Sequence, residues 1–279
     1  MIRKLMRLGV PTLILVFATM MLNGCRGTGD AQKSELQKVT TINISGSTSV
    51  QPISEVLAQA YMDKNQAVKI FVQGGGSSAG IKAVQEGAAD IGCSSRDLKP
   101  EEKNLVETVI AKDGIAIVIN PANKAQNLTL AQIKGIYDGT IVNWKEVGGD
   151  DQAIDVVTRE EGSGTRGAFE ELVMGKETKI KASAIVQNST GAIRTTVAGN
   201  PKAVGYVSLT SLNESVKEVT VDGIAPSAAT VLDGSYQISR PFLYLTKSQP
   251  TGEVKMFIDF ILSPEGQTLI EKEGLVKLK

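Results

Sequence analysis

The sequence predicts an α/β fold, in which open and largely parallel sheets carry helices on both faces. Three segments carry this prediction, because in each an apolar strand leads into a turn of glycine and hydroxyl residues and then into a helical pattern. The turns are ISGSTS at 44–49, VQGGGSS at 72–78 and EGSGTRG at 161–167. Ligands of such sheets bind beyond the carboxyl ends of the strands.

Each element follows from its own pattern. VTTINIS at 39–45 reads as a strand, and the helix after it places Ile53, Leu57 and Tyr61 on one face. VKIFV at 68–72 and AIDVV at 153–157 are the next strands of this kind, and each precedes a further helix. Near the end of the chain, VKMFIDFILSPEGQTLIEKEG predicts two helices that are broken at Ser263–Pro264.

The first 25 residues differ from the rest of the chain. Basic residues precede a short apolar run that is typical of a secretory signal, and the run ends at LNGC. Because this ending resembles the bacterial lipobox, we expect residues 1–25 to be a lipoprotein signal segment that ends at the lipobox cysteine. Cys25 would then become the lipidated first residue of the mature protein. Residues 26–39 are polar and predict a flexible tether. A plain secretion signal is the alternative.

Composition excludes several classes of function. Lys and Arg together number 30, as do Asp and Glu, and aromatic residues make up 4% of the chain, so no nucleic-acid surface is expected. The chain has no histidine, so GSSAG at 76–80 lacks the base that a hydrolase serine needs. GSGTRGAF at 162–169 lacks the lysine of a P-loop. We therefore expect no enzyme, no cofactor and no metal, although a metal site built only from carboxylates stays open.

The three turns share one chemical property. A helix start leaves backbone N–H groups unpaired, glycine lets a ligand approach the backbone, and Ser and Thr add hydroxyl donors. Arg96, Arg159 and Arg166 lie near these turns in the sequence. The plain alternative for any one turn is a capped helix. The three together favour a shared site for an oxyanion.

Four segments carry a family resemblance: SGSTSVQP, QGGGSSAGIKAVQEGAADIGCSSR, REEGSGTRGAFEEL and NSTGAIRTTVAGNPKAVGYVSL. In this order they resemble the substrate-binding protein of the bacterial phosphate ABC transporter, a periplasmic-binding-protein-like family. The resemblance implies two α/β lobes, joined by two crossing strands, with the ligand cleft between them. We place the crossings near 115–121 and 238–245, so that lobe one holds 40–118 plus 239–279 and lobe two holds 119–238.

The resemblance also implies the function. We expect an extracytoplasmic receptor, lipid-anchored to the cell membrane and monomeric, that binds inorganic phosphate and delivers it to the permease subunits of an ABC transporter. The implied phosphate contacts are Thr48, Ser49, Ser77, Ser95, Arg159, Ser163, Gly164 and Thr165. Further residues are expected to support them: Glu161 by holding the Arg159 guanidinium, Arg96 as a second cation, and Ser189, with its neighbours Asn188 and Thr190, from the further turn VQNSTGAI.

One position departs from the family pattern. Well-known members have an aspartate that accepts the proton of hydrogen phosphate, where this chain has Ser95 within DIGCSSR. A subgroup of the family has this SSR pattern, so phosphate remains the expected ligand. Because a serine both donates and accepts, a receptor for sulfate, molybdate or tungstate stays as the alternative, and a secreted phosphatase is the less favoured third.

Overall fold

The computed structural model describes residues 39–278, which form eleven strands and eight α-helices. The strands are β1 Thr40–Gly46, β2 Val68–Gly74, β3 Ile91–Ser94, β4 Val106–Ile119, β5 Asn127–Leu128, β6 Asp155–Arg159, β7 Ile185–Gln187, β8 Ala203–Ser208, β9 Lys217–Glu218, β10 Thr220–Val221 and β11 Ser239–Thr246. The helices are α1 Gln51–Lys64, α2 Ser77–Glu86, α3 Leu130–Asp138, α4 Gly164–Phe169, α5 Thr190–Ala198, α6 Ala228–Leu232, α7 Gly252–Leu262 and α8 Pro264–Lys272.

Most of the strands belong to one curled, nine-stranded sheet. Its order is β2-β1-β3-β11-β4-β8-β6-β7, with β9 beside β4. The β2-β1-β3 group is parallel, and so is the β8-β6-β7 group. Between them, β11 and β4 run antiparallel to their neighbours. The expected α/β fold is therefore confirmed, with a parallel group in each lobe and antiparallel strands at the junction.

Strand β4 passes from one lobe to the other. Its residues up to Gly114 pair with β11, and its residues from Ile115 onward pair with β8. At Gly114 an added Cβ would lie 2.9 Å from a methyl carbon of Leu209, so a glycine allows the close packing at the change of partner. The exact division of the chain between the lobes, at 118–119 and 238–239, stays a prediction.

Each lobe has its own apolar core. Lobe one packs α1, α7 and α8 against β1–β3, around buried residues that include Ile42, Leu57 and Phe257. Lobe two packs around Trp144, Phe169 and Tyr206. In agreement with the sequence, α7 ends at Leu262 and α8 begins at Pro264. The packing leaves the turns after β1, β2, β3, β6 and β7 at the facing edges of the two lobes.

Candidate functional site

Lobe one brings four buried serines to the cleft. Ser47 and Ser49 follow β1, Ser77 begins α2, and Ser95 follows β3; each is at most 3% exposed. The Ser47 hydroxyl donates to Ser95 Oγ over 2.8 Å, and the Ser95 N–H donates to Ser77 Oγ over 3.1 Å. Neighbouring Thr48 is only partly buried. The turns after β1, β2 and β3 thus converge on one patch of hydroxyl groups.

Lobe two contributes a buried guanidinium. Arg159 ends β6 and is 1% exposed. Its Nε and Nη2 each donate to the Glu160 carboxylate over 2.8 Å, and its Nη1 donates to Thr190 Oγ1 over 3.1 Å. The expectation that Glu161 holds this guanidinium is wrong, because the carboxylate on the Arg159 fork belongs to Glu160. Glu161 instead lines a surface cavity of about 420 Å³ together with Arg96 and Ser163.

Hydroxyl groups of the two lobes meet across the cleft. Ser49 Oγ lies 2.8 Å from Thr165 Oγ1 and 2.8 Å from Thr190 Oγ1. The Thr190 N–H donates to Thr48 Oγ1 over 3.2 Å. These contacts join segments that are more than 100 residues apart in the chain. The lobes are therefore in contact through the groups that the sequence analysis assigned to an anion.

Gly164 lies at a close contact between the two lobes. An added Cβ there would overlap Ser77 Oγ and would lie 2.8 Å from Ser95 Oγ. A backbone hydrogen bond of 3.1 Å, from the Ser78 N–H to the Gly162 carbonyl, crosses the cleft beside it. Gly164 is also the first residue of α4, so a side chain at this position would separate the backbone of lobe two from the serines of lobe one.

The remaining predicted residues have more local roles. Ser163 caps α4 by accepting the Arg166 N–H, and Ser189 caps α5 by accepting the Ala192 N–H. Arg96 is 7% exposed, and its Nη1 and Nη2 donate to the Glu102 carboxylate over 2.7 and 2.9 Å. Its charge is thus directed at Glu102. Within the described residues, its side chain makes one hydrogen bond to the three predicted turns, of 3.4 Å to Ser78 Oγ.

Two site residues, Ser47 and Glu160, were missed at the sequence level. Ser47 stands beside the predicted residue Thr48 in GSTS, where the choice between adjacent hydroxyls depends on which one the turn directs inward. Glu160 was passed over for its neighbour in REEG for the same reason. The signal that the sequence offered was the pair of adjacent residues with the same chemistry, since either hydroxyl or either carboxylate of a pair could serve the site.

Most groups of the site are hydrogen-bond donors. Hydroxyl groups, helix starts and the Arg159 guanidinium are donors suited to an oxyanion, and the Glu160 carboxylate holds the guanidinium in place. Burial raises the pKa of Tyr206, whose hydroxyl lies 2.7 Å from Thr158 Oγ1, to about 12. Burial likewise raises the pKa of Cys93, whose thiol donates to the Ser47 carbonyl oxygen, to about 12. No group of three or more potential metal ligands occurs within residues 39–278.

The chain is similar to several known proteins. A family model described as a PBP superfamily domain matches residues 31–265. The phosphate-binding protein PstS of Bacillus subtilis is 34% identical over 260 residues, which span 90% of this chain and 85% of that protein. The PstS of Borreliella burgdorferi is 29% identical over 280 residues, which span 96% of this chain and 98% of that protein.

Solved structures show the same likeness. A phosphate ABC transporter substrate-binding protein from Clostridium perfringens, with bound phosphate, is 48% identical and superposes with a TM-score of 0.84, covering 86% of this chain and 100% of that one. An ABC-type phosphate transport receptor from Vibrio cholerae is 43% identical, with a TM-score of 0.71, and covers 85% of this chain and 100% of that one.

Proposed function

Because the chain belongs to the family of substrate-binding proteins of phosphate ABC transporters, we propose that it binds inorganic phosphate outside the cytoplasm and delivers it to an ABC permease. One observation carries the proposal: buried hydroxyls from both lobes and one buried guanidinium converge on a single point of the cleft. The family is one of transport receptors, and its members bind their ligand without converting it.

We propose which residues contact the phosphate. Each phosphate oxygen accepts hydrogen bonds from hydroxyl or backbone N–H donors, and Arg159 supplies the charge. The contacts are Thr48, Ser49, Ser77, Ser95, Arg159, Ser163, Gly164 and Thr165, and we add Ser47 and Thr190 because both hydroxyls bond to members of this set. Glu160 positions Arg159 by occupying two of its three donor nitrogens.

Binding is coupled to closure of the lobes. A ligand that contacts both lobes stabilises the closed form in proportion to the contacts that it makes only there. Ser49 and Ser77 come from lobe one, and Arg159 and Thr165 from lobe two. Small-angle scattering should therefore show a smaller radius of gyration with phosphate than without it. An unchanged radius at confirmed occupancy would contradict the hinge, unless the free protein is already closed.

Cys25 is proposed as the membrane anchor. It lies outside the described residues, and no helix within residues 39–278 is long and apolar enough to span a bilayer. A lipid on Cys25 would hold the receptor, as a monomer, beside its permease. The intact chain should partition with membranes, whereas Cys25→Ala should be released to the soluble fraction. Equal membrane retention of both forms would refute the lipid anchor.

Calorimetric titration of the chain from residue 26 tests the function directly. Phosphate should bind at one site per chain, and sulfate should bind more weakly. Sulfate, molybdate or tungstate binding more tightly than phosphate would replace phosphate as the ligand. The same preparation should not hydrolyse a generic phosphomonoester, and turnover of that compound would identify an enzyme instead.

A further inference from the structure

A second buried arginine lies at the strand crossing. Arg240 of β11 stands opposite Asp113 of β4 in the strand register. Its Nε and Nη2 donate to Asp113 Oδ2 over 3.2 and 2.9 Å. The other carboxylate oxygen, Oδ1, accepts from Ser208 Oγ over 2.9 Å and from the Leu209 N–H over 3.2 Å. Each oxygen of the Asp113 carboxylate thus accepts two hydrogen bonds.

The third nitrogen of Arg240 has no such contact. Arg240 is 3% exposed, yet its Nη1 is buried and has no hydrogen-bond partner within residues 39–278. A guanidinium stays charged in proteins and offers five N–H donors, so a buried and unpaired nitrogen is costly. Native proteins rarely keep such a group without a binding or structural reason.

The strand register places Arg240 at the floor of the cleft. Strand β3 ends at Ser94, which pairs with Leu243, so Arg240 lies three residues beyond it, on the side where the chain continues to Ser95. On the other side, Ser208 ends β8, next to β6, which ends at Arg159. Burial lowers the pKa of Arg240, and the nearby Arg159 charge lowers it further, whereas Asp113 raises it.

We propose that Nη1 of Arg240 is a further donor to the bound oxyanion and that the site contains a second cation. The proposal rests on the proposed phosphate function. An anion oxygen between Ser95 and Arg159 gives Nη1 an acceptor and reduces the repulsion between the two guanidiniums. The anion then contacts the crossing strands as well as the turns of the two lobes. Arg240 thus links occupancy of the site to the strands on which closure depends.

Calorimetry on a set of variants separates this role from a purely structural one. Arg240→Gln leaves Asp113 buried without its partner, so both phosphate affinity and thermal stability should fall. The double variant Asp113→Asn, Arg240→Gln removes both charges and keeps an amide pair, so its stability should largely return. Its phosphate Kd should nevertheless stay at least tenfold above that of the wild type. Asp113→Asn alone keeps Arg240 and should bind more tightly than the double variant.

The outcomes are distinguishable. A stable double variant with wild-type phosphate affinity would overturn the proposal and leave Arg240 as the partner of Asp113 only. If the double variant does not fold, Arg240→Lys takes its place: it keeps one charge opposite Asp113 but lacks Nη1, and a wild-type Kd in it would equally overturn the proposal. A wild-type protein that binds no phosphate would instead refute the proposed function. In ¹⁵N-edited spectra, phosphate should shift the guanidinium signals that disappear in Arg240→Lys.

Discussion

The two sides of the cleft contribute different chemistry. The turns after β1, β2 and β3 contribute neutral serines that are already hydrogen-bonded to one another. The turns after β6 and β7 contribute a guanidinium with its own carboxylate, together with Thr165 and Thr190. A neutral, mutually bonded patch fixes where each oxygen sits, whereas a charged group attracts any anion. We therefore expect affinity to depend mainly on lobe two and discrimination between anions mainly on lobe one.

The largest effect is expected from Arg159→Ala. Losing a buried charged contact costs on the order of 2–5 kcal/mol, in part because it leaves the opposite charge unpaired. Phosphate binding should therefore weaken by roughly 30-fold or more, and any sulfate binding should fall with it. Titration calorimetry with both anions measures this. Lys247→Ala removes an exposed positive charge and is the matched control, expected to bind as the wild type does. Equal losses in both variants would mean that long-range charge, rather than contact, sets the affinity.

Gly164→Ala tests the contact between the two sides with an intermediate effect. Its methyl group would overlap Ser77 Oγ, and overpacking typically costs about 1–3 kcal/mol. Phosphate affinity should fall by roughly tenfold, and the radius of gyration with phosphate should exceed that of the wild type. Gly191→Ala is the control, because it also lies at a helix start of lobe two but has open space around it. A normal radius and affinity in Gly164→Ala would show that the lobes do not close to the distance described.

The smallest loss of affinity is expected from Ser95→Ala, and its effect should be on the ratio between anions. Ser95 stands where the family aspartate would accept a phosphate proton, and its oxygen already accepts the Ser47 proton. A hydroxyl has a second lone pair, so it still offers an acceptor to protonated phosphate. Ser95→Ala should therefore narrow the preference for phosphate over sulfate, and Ser95→Asp should sharpen it by repelling the fully deprotonated anion. An unchanged ratio in Ser95→Ala would assign the acceptor role to another group.

Much of the fold could be predicted because its signals are local. Strand, turn and helix follow one another in ISGSTS, VQGGGSS and EGSGTRG, and each turn precedes a helix, as predicted. The break between α7 and α8 follows from Pro264, which cannot continue the hydrogen bonding of the preceding helix. The two-lobe arrangement came from the family resemblance, since the antiparallel pairing of β4 with β11 joins segments far apart in the chain.

The details of the site depended on tertiary packing. Glu160 and Glu161 are chemically identical, and only the path of the loop after β6 decides which one reaches Arg159. The partner of Arg96 is Glu102, six residues further along the chain in the short helical turn Pro100–Glu102. Arg240 and Asp113 are 127 residues apart and meet through strand register alone. Such pairings have no counterpart in local sequence patterns.

The burial of Cys93 makes the thiol a reporter of opening. Its side chain is inaccessible within the lobe-one core, and its pKa of about 12 leaves almost no thiolate, the reactive form, at neutral pH. A thiol reagent therefore labels only molecules in which this core has opened. A ligand that binds only the folded form, present at about 100 times its Kd, stabilises that form by about 2.7 kcal/mol, so the opened population falls about a hundredfold. In the chain from residue 26, where Cys93 is the sole cysteine, the labelling rate alone therefore reports phosphate occupancy without any added dye.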